Sequence, residues 1–289
     1  MFNAYAPFGA IIGDICGSRY EFDNYKADHE IQPFKGCWIT DDSIHTLATM
    51  MACIYAKKHF DKNEQYASFK FALKVGMKRA LLKMYDLYPN VSYGEGFRAW
   101  AKGDDHSPYM SFGNGAAMRV SPVAYIADTE AEVFDFAKAV AEPTHNHPEG
   151  IKGAQATALA VWMAMRQYTN EEIYERVKQF YDIPEYIDLL GNYHFDESCQ
   201  GTVPQALSTF FVSENFVDCL HKSIKVGGDT DTLAAIACSI ASAKYIVPVW
   251  YGKMCSKFLD GTMRKIITKF YDIVNSKLLQ SYKDVLFTD

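Results

Sequence analysis

No two cysteines in this chain stand at the Cys-x-x-Cys spacing that builds a thiolate zinc site. The seven present, Cys16, Cys37, Cys53, Cys199, Cys219, Cys238 and Cys255, are scattered and odd in number. That pattern suits free thiols in a reducing compartment rather than a disulfide framework. Positive charge is not in excess: the net charge is -6. This argues against nonspecific nucleic-acid binding but leaves room for a nucleotide in a local pocket. Met1 to Phe8 holds no basic region followed by an apolar stretch, so it does not read as a signal peptide. The most apolar stretch, Ala154 to Met165, is too short to span a bilayer and carries Gln155 and Thr157. We therefore expect a soluble, cytoplasmic protein that binds neither membrane nor nucleic acid.

Strand signals are equally scarce. No Asn-Gly or Asp-Gly turn separates alternating apolar runs, and no Gly/Ser/Pro-rich linker, low-complexity tract or fixed-period repeat divides the chain. What is there is helical periodicity. Ile44, Leu47, Ala48, Met51, Ile54 and Tyr55 recur at helical spacing between Ser43 and Phe60. Thr129 with Glu132, and Thr169 with Glu172, read as capping boxes that open helices, and Pro143 stops the first of these. Two stretches, from about Gly150 to Met165 and from about Thr232 to Tyr245, are apolar nearly all round and predict central helices. The residues after about Tyr251 read as amphipathic helices. With 49% hydrophobic residues in a length of 289, the expectation is an all-α, orthogonal-bundle-like single domain over residues 1–289, with roughly ten helices or more.

Five segments stand out chemically. Thr40-Asp41-Asp42-Ser43 and Gly227-Gly228-Asp229-Thr230-Asp231-Thr232 each precede a strong helix. Either alone reads as an N-cap, where free N–H groups and the macrodipole favour oxygen and negative charge. Together they offer four carboxylates and several hydroxyls, which brought together would need cations to stay ionised. Hard oxygen ligands without His or Cys favour Mg²⁺ or Mn²⁺. The third segment, Gly13-Asp14 to Tyr20-Glu21, sets carboxylates among small residues and is explained equally well by a glycine-mediated helix contact. The fourth, Ser111 to Arg119, contains Gly113-Asn114-Gly115, a loop able to cradle phosphate oxygens on backbone N–H groups. The fifth, His145-Asn146-His147-Pro148, reads as a hand on a ligand or a loop leading into a helix sooner than as a metal site.

In this order the five segments resemble the ADP-ribosylglycohydrolase family, over most of the chain from Gly9 to about Pro248. The paired Thr40-Asp41-Asp42 and Gly228-Asp229-Thr230-Asp231-Thr232 are its most specific part. Gly113 to Arg119 and Ser198-Cys199-Gln200-Gly201-Thr202-Val203-Pro204-Gln205-Ala206 add to it. The resemblance implies an all-α fold around two Mg²⁺ or Mn²⁺ ions held by Thr40, Asp41, Asp42, Asp229, Asp231 and Thr232. It places Glu21 near the ions as a mobile acid/base or gating residue outside the ligand set, with Asp41 and Asp229 the other residues assigned to catalysis. It gives Ser111, Gly113, Asn114, Gly115 and His145 to the diphosphate and ribose.

The implied reaction is attack of a cation-activated water on the anomeric carbon of ADP-ribose, through an oxocarbenium-like transition state. The partner is then an ADP-ribosylated protein or a small ADP-ribosyl compound, and the enzyme a monomer. ADP-ribosylarginine is the favoured acceptor, with Glu95, Asp104 or Asp105 as candidate readers of its guanidinium, and ADP-ribosylserine the other acceptor. A non-catalytic ADP-ribose-binding relative and a metal phosphoesterase acting on the diphosphate are the alternatives.

Overall fold

The structure is a computed structural model, described for residues 5–22, 24, 26 and 31–274. Its secondary structure is helical, with one isolated β-bridge between Gly113 and Ser198. The α-helices among the described residues are α1 (Gly9–Ser18), α2 (Asp41–His59), α3 (Tyr66–Leu87), α4 (Glu95–Lys102), α5 (Gly115–Met118), α6 (Glu130–Ala141) and α7 (Pro148–Met165). They continue with α8 (Asn170–Val177), α9 (Tyr186–Asn192), α10 (Cys199–Phe211), α11 (Phe216–Val226), α12 (Thr230–Lys244), α13 (Val249–Ser256) and α14 (Gly261–Ile273). None of them is long and apolar enough to cross a membrane. The C-terminal helices expected after Tyr251 are α13 and α14 up to residue 274, and the rest of that reading lies outside the described residues.

The two stretches read as apolar on all faces are α7 and α12. Both are central: α12 is buried from Thr230 to Ser242, and packs against α1, α7, α10 and α11. The Thr169–Glu172 capping box of α8 is complete, each side chain bonding the other residue's N–H. At α6 only half of the expected box forms. Thr129 accepts from the Glu132 N–H, but the Glu132 carboxylate instead accepts from the Asp128 N–H at 2.7 Å and from Lys62 at 2.6 Å. A buried ammonium offers a carboxylate more than one further neutral donor does.

The contact that positions the site is α1 against α12. Gly9, Gly13 and Gly17 recur every fourth residue and share one helix face. A β-carbon on them would fall 2.3 Å from the Cys238 carbonyl, 2.2 Å from the Ala234 carbonyl and 2.4 Å from the Thr230 carbonyl, respectively. The backbones therefore touch directly, and Thr230 Oγ1 donates to the Gly17 carbonyl at 3.0 Å. The glycine-mediated reading of the third segment and its acidic reading are both correct: the stripe of glycines brings Asp14 and Glu21 to the N-terminus of α12.

Candidate metal centre and ligand loop

Asp14, wholly buried in the middle of α1, organises the start of α2. It accepts from Thr40 Oγ1 at 2.6 Å, from the Thr40 N–H at 3.3 Å and the Ser43 N–H at 3.0 Å, and from the Ser43 hydroxyl. Thr40 is the N-cap of α2, its Oγ1 accepting from the Asp42 N–H. With the capping done by Thr40 and Asp14, the Asp41 and Asp42 carboxylates are left over for other work.

At α12 the pattern repeats with different parts. Gly227 and Gly228 both have positive φ, 75° and 72°, a turn that favours glycine. Asp229 occupies the N-cap position but makes no capping hydrogen bond. Its Oδ2 accepts instead from the Asn114 side-chain amide at 2.6 Å. Asp231 accepts from the Thr232 N–H at 2.9 Å, and Thr232 Oγ1 donates to Asp42 Oδ2 at 3.2 Å, tying the two helix starts together. One oxygen each from Glu21, Asp229 and Asp231 lie within 4.8 Å of one another, the one such cluster among the described residues.

Both acidic segments thus open their helices, but only Thr40 caps with its side chain; Asp229 stands at the N-cap position without a capping bond. Glu21, read from the sequence as a neighbour of the ligands, stands at ligand distance with Asp229 and Asp231. Asp41 and Asp42 lie outside that three-oxygen cluster.

Six carboxylates in one buried space disfavour their own charge. Burial, followed by the charge of Asp231, raises Asp14 to about 7. Burial, then Asp231, Asp41 and Asp14, raises Glu21 to about 9. Asp41, Asp42 and Asp229 are pushed well above the usual carboxylate range by burial and then by Asp231. No Lys or Arg ion pair relieves them among the described residues. His45 stands 3.9 Å from Asp41, but burial holds its pKa far below the ordinary value, so it brings no charge. Asp42 Oδ1 and Glu21 Oε2 are buried without a hydrogen-bond partner. Crowded, repelling, partly orphaned hard oxygens fit the donor chemistry of a divalent cation.

A pH-dependent stability follows. The folded chain keeps protons on Asp14 and Glu21 that the unfolded chain has released above about pH 4. Stability therefore falls as pH rises from about 4 through 7 to 9. We expect the melting temperature of chelated protein to drop across that range. Saturating Mg²⁺ at pH 8 should raise it by roughly 5–10 °C, and by less at pH 5, where protons compete. A melting temperature flat in pH and indifferent to Mg²⁺ would contradict the site.

Beside the carboxylates runs the loop Ser111 to Gly115. Its backbone is partly committed to the protein: the Gly113 N–H donates to Ser111 Oγ at 3.2 Å, and the Asn114 N–H to the Glu197 carbonyl at 2.7 Å. Neither N–H is free for a phosphate, so the expectation that Gly113 to Gly115 all donate to one narrows to Gly115. The Asn114 side chain serves Asp229 and Thr202, not an open pocket. His145 is buried with its ring edge against this loop: a β-carbon on Gly115 would lie 3.0 Å from its Nε2, and one on Gly113 3.6 Å. His147 is separate, the N-cap of α7, its Nδ1 accepting from the Glu149 N–H. Glu95, Asp104 and Asp105 are exposed surface carboxylates, and Asp105 closes a turn on the Ser107 N–H. The sequence reading missed Asp14 as the anchor of the site. Its signal was a carboxylate set in an otherwise apolar, glycine-striped helix.

A family model described as ADP-ribosylglycohydrolase matches residues 6–273. The chain is 25% identical to the ADP-ribosylhydrolase ARH3 of Mus musculus over 86% of each. It is 30% identical to the ADP-ribosyl-(dinitrogen reductase) glycohydrolase of Rhodospirillum rubrum over 54% of this chain and 56% of that one. Some of the curated relatives are thus matched over little more than half their length, 58% and 56%. A solved structure titled ADP-ribosylglycohydrolase-related protein complex superposes with a TM-score of 0.69 over 94% of this chain and 97% of that one, at 19% identity, a likeness of fold.

Proposed function

The chain belongs to the ADP-ribosylglycohydrolase family, and from that premise we propose that it hydrolyses the bond between ADP-ribose and an acceptor, with ADP-ribosylarginine the first substrate to test. The observation that carries this reading is the meeting of Glu21, Asp41, Asp42, Asp229 and Asp231 at two helix starts beside the Gly113–Gly115 loop.

In this reading Thr40, Asp41, Asp42, Asp229, Asp231 and Thr232 hold two divalent cations, Mg²⁺ or Mn²⁺, and Glu21 stands beside Asp229 and Asp231. When bound, the cations supply positive charge to ribose hydroxyls and make a water acidic. The chain's own residues do the rest. Asn114 holds the Asp229 carboxylate, and Asp14 holds the start of α2 through Thr40 and Ser43. Glu21, the partly exposed member of the Glu21, Asp229 and Asp231 cluster, is the residue we assign to proton transfer with the leaving group. Gly115 and His145 bind the ADP-ribose side.

Product analysis tests the proposal. Incubation with ADP-ribosylated arginine and serine peptides and Mg²⁺ should release free ADP-ribose, faster from arginine, and excess chelator should stop it. Release of AMP would identify a phosphoesterase, and binding without turnover an inactive relative; either result would overturn the reading.

A further inference from the structure

A buried polar chain leads from the core to the ligand loop. Arg119, wholly buried, donates from Nη2 to Thr144 Oγ1 at 2.8 Å and to the Val140 carbonyl at 3.3 Å. Thr144 Oγ1, also buried, lies 2.7 Å from His145 Nδ1. A guanidinium only donates, so Thr144 Oγ1 is an acceptor from Arg119. The hydroxyl's own proton has one acceptor in reach among the described residues, His145 Nδ1. A buried hydroxyl proton left unpaired is destabilising. Thr144 therefore donates to Nδ1, and a neutral imidazole so held carries its proton on Nε2.

The ring is neutral for two reasons: it is buried, and it faces the charge of Arg119; both hold its pKa well below the ordinary value. Nε2 makes no hydrogen bond to the described residues, and it is the atom that faces Gly115 and Gly113, at 3.0 and 3.6 Å from their would-be β-carbons.

We infer that Arg119 and Thr144 are positioning residues that lock His145 as its Nε2–H tautomer, so that the site presents a neutral hydrogen-bond donor to a ligand oxygen lying against Gly113 and Gly115. The ligand side of this inference rests on the proposed binding of ADP-ribose, and the tautomer side does not. A neutral donor recognises a phosphate or hydroxyl oxygen without adding a second buried cation beside Arg119. It also gives the sequence Thr144-His145 a function that neither residue has alone.

The test uses the full chain with Mg²⁺ and variants Thr144→Val and Thr144→Ser. Long-range ¹⁵N–¹H spectra of the His145 ring, assigned by the signals lost in His145→Gln, should show Nε2 protonated and Nδ1 bare in the wild type and in Thr144→Ser. Thr144→Val should lose that single form. ADP-ribose, titrated by calorimetry, should bind about tenfold more weakly to Thr144→Val and within about twofold of wild type to Thr144→Ser. A wild-type ring protonated on Nδ1 would overturn the relay, even if Thr144→Val fails to fold. A folded Thr144→Val that keeps the Nε2–H form would do the same. One that loses the form but keeps the affinity would overturn the donor role. A wild type that does not bind ADP-ribose at all would instead sink the proposed function, with the ring spectra still deciding the tautomer.

Discussion

Asp229→Asn is expected to lower kcat by about three orders of magnitude while leaving the protein folded, because several kcal/mol of transition-state stabilisation depend on the cations that this carboxylate would hold. The substitution is isosteric. Asp229 makes no capping bond to α12, so the helix start does not depend on its charge. Its one strong partner is the Asn114 amide at 2.6 Å, which can still donate to the carbonyl oxygen of an asparagine. What changes is the number of negative charges around a cation. Calorimetric titration with Mn²⁺ should therefore show a marked loss of affinity alongside the loss of turnover.

Glu21→Gln separates the two contributions. Glu21 is only partly buried and shares the three-oxygen cluster with Asp229 and Asp231. We expect it to lose about 10²-fold in kcat, as for a general acid, with a smaller loss of Mn²⁺ affinity than Asp229→Asn. Equal losses of affinity would place Glu21 fully in the coordination sphere. An Asp229→Asn enzyme with normal turnover would rule out the cation site altogether.

The parts of this site that were legible in the sequence are those in which residue type alone limits the chemistry. Two acidic segments before strong helices can only be caps or ligands, and periodicity located those helices within a residue or two. Direction is what the sequence lacks. Asn114 reads only as part of a loop that offers backbone N–H groups, yet its side-chain amide turns inward to Asp229, a buried carboxylate and a strong acceptor. Glu132 reads as the second half of a capping box, yet Lys62 and the Asp128 N–H draw it away. His145 and His147, two residues apart, look like a pair, but one is buried in the core and the other caps α7. Asp14 was hidden because an acidic residue in an apolar helix reads as an exception until α12 is seen against it. In each case a long-range partner, invisible to local pattern, set the outcome.

Gly115→Val should weaken ADP-ribose binding by about 100-fold, some 2.7 kcal/mol, while changing Mn²⁺ affinity by no more than about twofold. Space is the reason. A β-carbon at Gly115 already falls 3.0 Å from His145 Nε2 and 3.2 Å from its Cε1, and a valine adds two methyl groups in the same gap. The ring must move from the position that Thr144 gives it, and the ligand oxygen proposed to lie between ring and loop loses its place. The Gly115 N–H is shielded as well, after those of Gly113 and Asn114 have been spent inside the protein. Backbone strain is not the cause, since Gly115 is absent from the positive-φ positions. Gly113→Val should act more weakly, because a β-carbon there meets Ser111 Oγ at 3.3 Å, the Glu197 carbonyl at 3.4 Å and His145 Nε2 at 3.6 Å. The residues proposed to hold the cations stand at the starts of α2 and α12 and keep their places, with Asn114 their hydrogen-bond link to the loop, so Mn²⁺ titration of ligand-free protein is the control. A folded Gly115→Val protein that binds ADP-ribose as tightly as the wild type would move the ligand away from this loop and from His145 together.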